Sequence, residues 1–284
     1  SHYSLKRTVG IIGLGEKNCI SMPADEDGRV LPAQIPALID KLENNGKRIM
    51  AIVGNACGTA AGLYDPLEEI GAICPGLATV MVFNAHFTSL IKTSGTAEQK
   101  AQYLPFLIEK KPHLLATALS ELGAGSDVAT MTTHAELRDG YYIINGTKDH
   151  VVNGAIADIV VCFATLDPTR GRSQMVAFVV PGNADGLQVG QFRKKMGIRY
   201  ANTWQMIFND VKVPASNMIG SEGAGYMIVT QGIDRDKALT GAIGVGIARS
   251  AFEKALAFAK ERKQFGRSVF ESQAIAFEFA KMAS

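Results

Sequence analysis

The stretch from residue 117 to residue 127 reads Thr-Ala-Leu-Ser-Glu-Leu-Gly-Ala-Gly-Ser-Asp. Its two glycines, Gly123 and Gly125, lie two positions apart, and Ser120 and Ser126 flank them with hydroxyl groups. Glycines permit a loop whose backbone N–H groups face outward, and a serine adds a donor, so the stretch can bind an anionic or carbonyl-rich ligand. The same spacing is also typical of an ordinary strand-to-loop turn. Spacing alone does not separate the two interpretations.

The chain that follows this loop alternates with the period of β-strands, as in Tyr141–Asn145. Short apolar runs recur about every ten residues, with turn residues between them, which predicts a small β-barrel or sandwich. The runs are 159–164, 175–180, 187–192, 203–208 and 211–213. The core residues that we expect are Ile143, Val161, Phe178, Met206 and Phe208.

Helical patterns lie on both sides of this region. Thr96 and Gln99 have the spacing of a capping box, in which each side chain satisfies a free backbone N–H at the start of a helix. After Gly225, apolar residues recur at helical spacing and predict one buried helix face. These residues are Ala248, Ala251, Phe252, Ala255, Phe258 and Ala259.

Five blocks of the sequence together resemble the acyl-CoA dehydrogenase family. They are TALSELGAGSD at 117–127, YYIINGTKDHVVNGAIAD at 141–158, KKMGIRYANTW at 194–204, FNDVKVPASNMIGSEGAGY at 208–226 and ERKQFGRSVFESQAIAFEFAKMA at 261–283. They follow the order and spacing of the family from about residue 75 to residue 284. The resemblance implies an α+β fold with a helical segment at 75–113, a β-barrel middle domain at 114–225 and a truncated C-terminal helical domain at 226–284.

The resemblance also implies a flavoprotein that binds FAD and oxidises an acyl-CoA between Cα and Cβ. By position, Thr117, Leu119 and Ser120 would contact the isoalloxazine ring of the flavin. Ser126 would lie near the flavin or the substrate thioester.

Two further flavin positions depart from the family. His150 stands where the family usually has a tryptophan against the flavin, and packing without a role in catalysis is the alternative for it. Val152 stands where a threonine commonly donates a hydrogen bond toward flavin N5. Four residues match positions that reach the FAD pyrophosphate and adenosine of a neighbouring subunit, which implies a homo-oligomer. They are Arg262, Gln264, Phe265 and Gln273.

Catalysis in this family needs a carboxylate that removes the α-proton. In a minority of members, a glutamate in the first turn of the helix that would start here at Ile233 has this role, and Asp236 occupies that position. The alternative is an aspartate placed near a helix N-terminus because the helix dipole favours it. The resemblance further implies that Asp234 and Lys237, with Ser126, contact the substrate.

The first 74 residues resemble another family. SMPADEDGRV at 21–30 and AIVGNACGTAAGLYDPLEEIGAIC at 51–74 resemble the large domain of group II pyridoxal-phosphate decarboxylases, as an α/β fragment. His2 would stack on the pyridine ring, and Thr59 would lie near the cofactor. Asn84 falls near the family's aspartate, and an amide cannot be the charge partner of a protonated ring nitrogen. We therefore do not expect pyridoxal-phosphate chemistry.

Composition excludes several classes of function. With 29 basic and 27 acidic residues, the chain has no general basic field for a nucleic acid. The sequence contains no run of 18 apolar residues, so it predicts no membrane span. The four cysteines are scattered, without a CxxC pair or histidines at zinc-ligand spacing, so we expect no metal site and a reducing, cytoplasmic compartment.

The expectation from sequence is therefore an acyl-CoA dehydrogenase-like chain that acts on an acyl-CoA. It would bind FAD weakly, because a join near residue 74 would remove the N-terminal helices that cover the flavin. The sequence does not indicate the electron acceptor. A pyridoxal-phosphate decarboxylase-like protein and a catalytically silent chimera are the alternatives.

Overall fold

The computed structural model describes residues 31–45, 67–107 and 113–283. His2 and Thr59 therefore lie outside the described residues. Helices precede the sheet, and their bounds are α1 Ile35–Asn44, α2 Leu67–Ile73, α3 Pro75–Ser94 and α4 Ala97–Tyr103. The predicted capping box begins α4: Thr96 Oγ1 accepts from Gln99 N at 3.2 Å, and Thr96 N donates to Gln99 Oε1 at 3.1 Å.

The middle of the chain forms a sheet. Its strands are β1 Leu115–Ala118, β2 His134–Arg138, β3 Tyr141–Val152, β4 Ile159–Thr165, β5 Met175–Pro181, β6 Leu187–Phe192, β7 Thr203–Pro214 and β8 Met218–Ile219. The apolar runs predicted as strands are confirmed, and the last two of them are one continuous strand, β7.

Among the described residues the sheet is open, and the predicted β-barrel is not found as a closed barrel. The strand order is β6-β7-β3-β2-β4-β5-β8, and β1 pairs in parallel with β4. The end strands β6 and β8 do not pair with each other. The only registered pair between β2 and β4 joins His134 to Thr165, and β8 has two residues. With so short a strand at one end and so brief a pairing in the middle, the hydrogen-bond ladder does not close.

Two apolar clusters lie on the two faces of β4 and β5, because successive side chains of a strand point to opposite faces. Phe178, Met206 and Phe208 share the cluster between the two halves of the sheet. Val161 lies in the other cluster, against α3 and the long helix that follows the sheet. Ile143 is only half-buried, because its neighbour Ile144 takes the core position on β3.

A long helix, α5 Gly225–Glu261, follows the sheet. It packs against α3 near Gly232 and against α2 around its midpoint, near Gly246. Beyond it come a short hairpin of β9 Lys263–Gln264 and β10 Arg267–Ser268, and then the helix α6 Gln273–Ala283. Of the predicted apolar face on the second half of α5, Ala259 is buried and Phe252 is half-buried, while the other four residues are exposed. The periodicity is present, but the described elements leave most of that face exposed, although Phe279 of α6 contacts Phe252.

Within the described ranges, no helix has the length and apolar character needed to cross a bilayer.

Candidate active site

The glycine-containing loop begins where β1 ends, and hydrogen bonds align it with the end of β3. Asp149 N donates to Ser120 O at 2.8 Å, and Asn153 Nδ2 donates to Leu115 O at 3.3 Å. Five positions predicted to contact flavin therefore fall on two adjoining segments. These positions are Thr117, Leu119, Ser120, His150 and Val152.

A buried ion pair between Lys148 and Glu121 holds this loop in place. Lys148 is fully buried, and its Nζ lies 2.9 Å from both Glu121 Oε1 and Leu119 O. The Glu121 carboxylate also accepts from the backbone N–H groups of Thr132 at 2.8 Å and Thr133 at 2.9 Å. Burial disfavours the charge of Glu121, but the Lys148 ammonium and these hydrogen bonds outweigh it and lower the pKa of Glu121 to about 2.

Sequence reasoning did not find this pair. Glu121 and Lys148 are 27 residues apart and have no motif in common. The signal that could have found them is the alternation of β3, in which Lys148 falls in step with the buried Tyr142 and Ile144, because a buried lysine needs a carboxylate partner.

His150 lies at an irregularity in the pairing of β3 with β7, between Lys148 and Val151. Its φ of 58° is in the left-handed region, and its side chain is 62% exposed. Its N–H donates to Asp149 Oδ1 at 2.7 Å, and Arg193 Nε donates to the same oxygen at 2.7 Å. Burial opposes ionisation of Asp149, yet the hydrogen bonds from Arg193 and His150 lower its pKa below the ordinary value. A bulge can redirect a side chain, and here it turns the imidazole outward beside the end of β1.

The Thr117 hydroxyl is a buried polar atom without a hydrogen-bond partner in the described part of the chain. Leaving such a group unsatisfied costs about 1–3 kcal/mol, so an orphaned hydroxyl needs an explanation. Nearby, a Cβ at Gly123 or Gly125 would meet nothing within 4 Å, and Ser126 is exposed. Buried Val152 offers no donor. The site therefore combines a buried hydroxyl that has no partner among the described residues with an exposed loop, and a polar ligand atom that reached this hydroxyl would satisfy it.

The four residues assigned to a neighbouring subunit's cofactor lie elsewhere. Arg262, Gln264, Phe265 and Gln273 are all exposed, in the hairpin after α5 and at the start of α6. Gly225, at the opposite end of α5, touches the backbone of β5 so closely that a Cβ would lie 2.6 Å from it. The 37 residues of α5 span roughly 55 Å at 1.5 Å per residue. The helix thus separates these residues from the β1 loop of the same chain.

Asp236 lies well inside α5, which begins at Gly225, so the prediction of a first-turn position is wrong. The helix dipole therefore does not account for this aspartate, because that effect is limited to the terminal turns. Its carboxylate instead contacts the Nδ1 atom of His86 on α3. Sequence reasoning missed His86, which is 150 residues away along the chain.

The other two substrate positions face solvent. Lys237 Nζ donates to Asp234 Oδ1 at 2.6 Å, and both side chains are exposed. Such exposed pairs contribute little to stability. The structure does not bring them into contact with Ser126.

Asn84, which fell near a decarboxylase aspartate, has a structural contact. Its Oδ1 accepts from Leu115 N at 3.0 Å and so joins α3 to β1.

Comparison with known proteins extends over nearly the whole chain. Three family models match: "Acyl-CoA dehydrogenase, N-terminal domain" at residues 24–111, "middle domain" at 116–211 and "C-terminal domain" at 223–284. The first match includes residues 24–74, so the comparisons give no support to a fused pyridoxal-phosphate decarboxylase segment. Residues 24–74 therefore match the N-terminal domain whose loss was expected to weaken FAD binding.

Individual relatives agree with these matches. The short-chain specific acyl-CoA dehydrogenase of Clostridium acetobutylicum is 38% identical over 232 residues, which are 81% of this chain and 60% of that protein. A solved structure described as PigA with FAD and proline superposes with a TM-score of 0.73 at 28% identity, over 81% of this chain and 63% of the other. The chain thus spans about 60% of the length of such relatives. A probable acyl-CoA dehydrogenase of Mycobacterium leprae is 30% identical over 283 residues, 99% of this chain and 72% of that protein. Matches to all three domains in chain order, together with a relative that aligns over 283 residues, show that the chain belongs to the acyl-CoA dehydrogenase family.

Proposed function

We propose that this chain is an FAD-dependent acyl-CoA dehydrogenase, which oxidises an acyl thioester between Cα and Cβ. The observation that carries the proposal is the surface formed by the β1 loop and the end of β3. In a chain of this family, that surface holds a buried Thr117 hydroxyl without a partner, beside an open loop.

The residues present there fit FAD. Thr117 and Ser120 would hold the polar edge of the flavin ring, Ser126 would lie at its rim, and the exposed imidazole of His150 would cover part of one face. A similar solved structure contains FAD, which supports the assignment. FAD, when bound, supplies the acceptor for the hydride that leaves Cβ.

Val152 leaves this site without a hydrogen-bond donor at one position of the flavin. It occupies the position from which a threonine would donate toward flavin N5, and a valine has no donor. Hydrogen bonds near N5 help to set the redox properties of a flavin. We therefore expect other groups to set the redox properties of the flavin in this site.

Arg262 and the other exposed residues of the hairpin would bind the pyrophosphate and adenosine of FAD in a second copy. Arginine suits a pyrophosphate because its planar donors can pair with two oxygens at once. The length of α5 places the hairpin far from the loop of its own chain, which supports a homo-oligomer in which subunits complete each other's sites.

Asp236 is the candidate base. Its carboxylate would take the α-proton, while the electron pair of the broken C–H bond stays in the thioester enolate. Asp234 and Lys237 lie on the exposed side of the same helix, where they would meet the polar part of the substrate. No observation favours the decarboxylase alternative.

The visible spectrum of the purified chain tests the cofactor. We expect a flavin band near about 450 nm that bleaches when an acyl-CoA is added without oxygen. A band near about 420 nm would indicate a pyridoxal aldimine, and the absence of both would indicate a silent chain.

Substitution of Asp236 tests the base. Asp236→Asn keeps the shape and removes the proton acceptor, so bleaching by acyl-CoA should be lost while FAD content is unchanged. Asp236→Glu should preserve or raise the rate, because the added methylene extends the reach of the carboxylate. The rate of bleaching in a stopped-flow experiment measures both effects. Bleaching at the wild-type rate in the asparagine variant would exclude Asp236 as the base.

A further inference from the structure

We infer that His86 is a positioning residue that orients the Asp236 carboxylate for removal of the α-proton. The inference rests on the proposed function and adds to it a residue on another helix. Its basis is the contact between His86 Nδ1 and Asp236 Oδ2, which joins α3 to α5.

The imidazole of His86 fits closely between α3 and α5. His86 is 5% exposed, and its ring packs over Gly232, one turn before Asp236 on α5. A Cβ at Gly232 would lie 2.8 Å from both His86 Cε1 and Leu90 Cδ2. Residues four apart lie on one helix face, so the glycine makes room for the ring directly beside the carboxylate. The ring therefore has little freedom to move, and its Nδ1 points at Asp236.

This contact distinguishes the two carboxylate oxygens. Oδ2 is engaged by the imidazole, and the Asp236 side chain remains 18% exposed. An aspartate rotates about two side-chain bonds, and holding one oxygen fixes the direction of the other. Oδ1 is then the oxygen that takes the α-proton when the Cα–H bond breaks and its electrons pass into the thioester enolate. Misplacement of a reacting group by about 1 Å can cost 10²-fold in rate, so orientation is a sufficient role for His86.

The neighbouring charged groups on these helices have other partners. Arg235 NH1 donates to Ser89 Oγ at 3.0 Å, and Asp234 pairs with Lys237 on the exposed side. Among the described residues, His86 is the group bonded to the Asp236 carboxylate. The bond from Arg235 to Ser89 links the same two helices without touching Asp236, so it offers a matched control.

The test measures exchange of the acyl-CoA α-proton with deuterium oxide, using the full chain with FAD bound. His86→Leu removes the imidazole donor to Asp236 and should slow the exchange of the α-proton by roughly 10-fold or more. The KM for the acyl-CoA should stay within about threefold of the wild-type value. His86→Gln retains a donor and should restore part of the rate. Ser89→Ala removes the other bond between these helices and should leave exchange near the wild-type rate.

A second readout does not depend on turnover. In 15N NMR spectra of histidine-labelled chain, His86 should carry a proton on Nδ1, and its nitrogen shifts should change in Asp236→Asn. A bare Nδ1 in the wild type would overturn the inference. So would exchange in His86→Leu that is no slower than in Ser89→Ala. A wild-type chain with neither exchange nor bleaching would instead overturn the proposed function, and the inference with it.

Discussion

A single buried ion pair fixes the loop on which the proposed cofactor site depends. Lys148 and Glu121 are both removed from water, and such pairs are costly when one partner is lost, because the other charge stays buried. Their hydrogen bonds reach Leu119 and Thr132, on both sides of the glycines. The pair therefore acts on the shape of the loop as well as on stability.

Glu121→Gln should reveal this pair through the pH dependence of stability. The folded-state pKa of Glu121 is about 2, below its ordinary 4.5. A carboxylate with a depressed pKa stabilises the fold above its unfolded pKa, and this contribution is lost as the pH falls from about 4.5 to 2. At neutral pH, the variant should lose roughly 3 kcal/mol of unfolding free energy, and the difference from wild type should shrink in acid. Urea unfolding at several pH values measures both.

The exposed Glu136 is the control for that experiment, because it pairs with Arg138 on the surface. Glu136→Gln should leave stability unchanged at every pH, since exposed pairs contribute little. A constant difference between Glu121→Gln and wild type from neutral pH to acid would contradict the assigned role of Glu121.

The resemblance assigned residues to the cofactor site, but it did not assign the residues that hold them in place. Thr117 and His150, both assigned to the flavin by the resemblance, fall on adjoining segments. The partners Lys148 and His86 could not be read from the sequence, because they are brought to Glu121 and Asp236 by the fold across 27 and 150 residues. The resemblance placed Asp236 in the first turn of a helix that would begin at Ile233, directly after Gly232. In the structure, that glycine is a close helix contact within α5.

At the scale of elements, glycines set how closely α5 approaches its neighbours. A Cβ at Gly246 would lie 2.1 Å from Glu68 O on α2, whereas a Cβ at Gly244 would meet nothing within 4 Å. The two glycines lie on the same helix, two residues apart. Gly246 allows the close approach of α2 and α5, whereas Gly244 only lowers the helix propensity of α5.

Alanine substitutions at these glycines should have opposite effects. Gly246→Ala forces α2 and α5 apart against a backbone atom and should destabilise the chain by about 1–3 kcal/mol. Gly244→Ala should stabilise it by up to about 1 kcal/mol, because alanine has the higher helix propensity. Thermal unfolding followed by circular dichroism compares them. Equal shifts in Tm would show that α2 does not pack on α5 as described.

The local sequence pattern predicted the strands, but it did not predict whether the sheet closes into a barrel. Short apolar runs separated by turn residues identified β4 to β7, since the composition of a strand is a local property. Closure of a barrel depends on pairing between strands far apart in the chain, and the single registered pair between β2 and β4 leaves no local trace. For the same reason, the apolar period on α5 predicted a buried face, although burial depends on what packs there.

For the whole molecule, we expect the exposed part of that face to take part in self-association. Aromatic contacts of Phe279 with Phe252 and Phe270, at 5.7 and 5.9 Å between ring centroids, hold α6 against α5. Phe258 and Phe277 instead point outward, 63% and 60% exposed. Large apolar side chains with this exposure are candidates for an interaction surface. The proposed sharing of the cofactor site between subunits also needs an oligomer.

Phe258→Ser should therefore weaken self-association, measured by sedimentation velocity over a range of protein concentrations. The contact is apolar, so association of the wild type should persist in high salt, which screens ion pairs but does not weaken apolar burial. Leu137→Ser is the matched control, because Leu137 on β2 is 54% exposed and lies outside this face. It should leave the association constant unchanged. If Phe258→Ser associates as strongly as wild type, or if salt alone dissociates the wild type, this face is not the contact between copies.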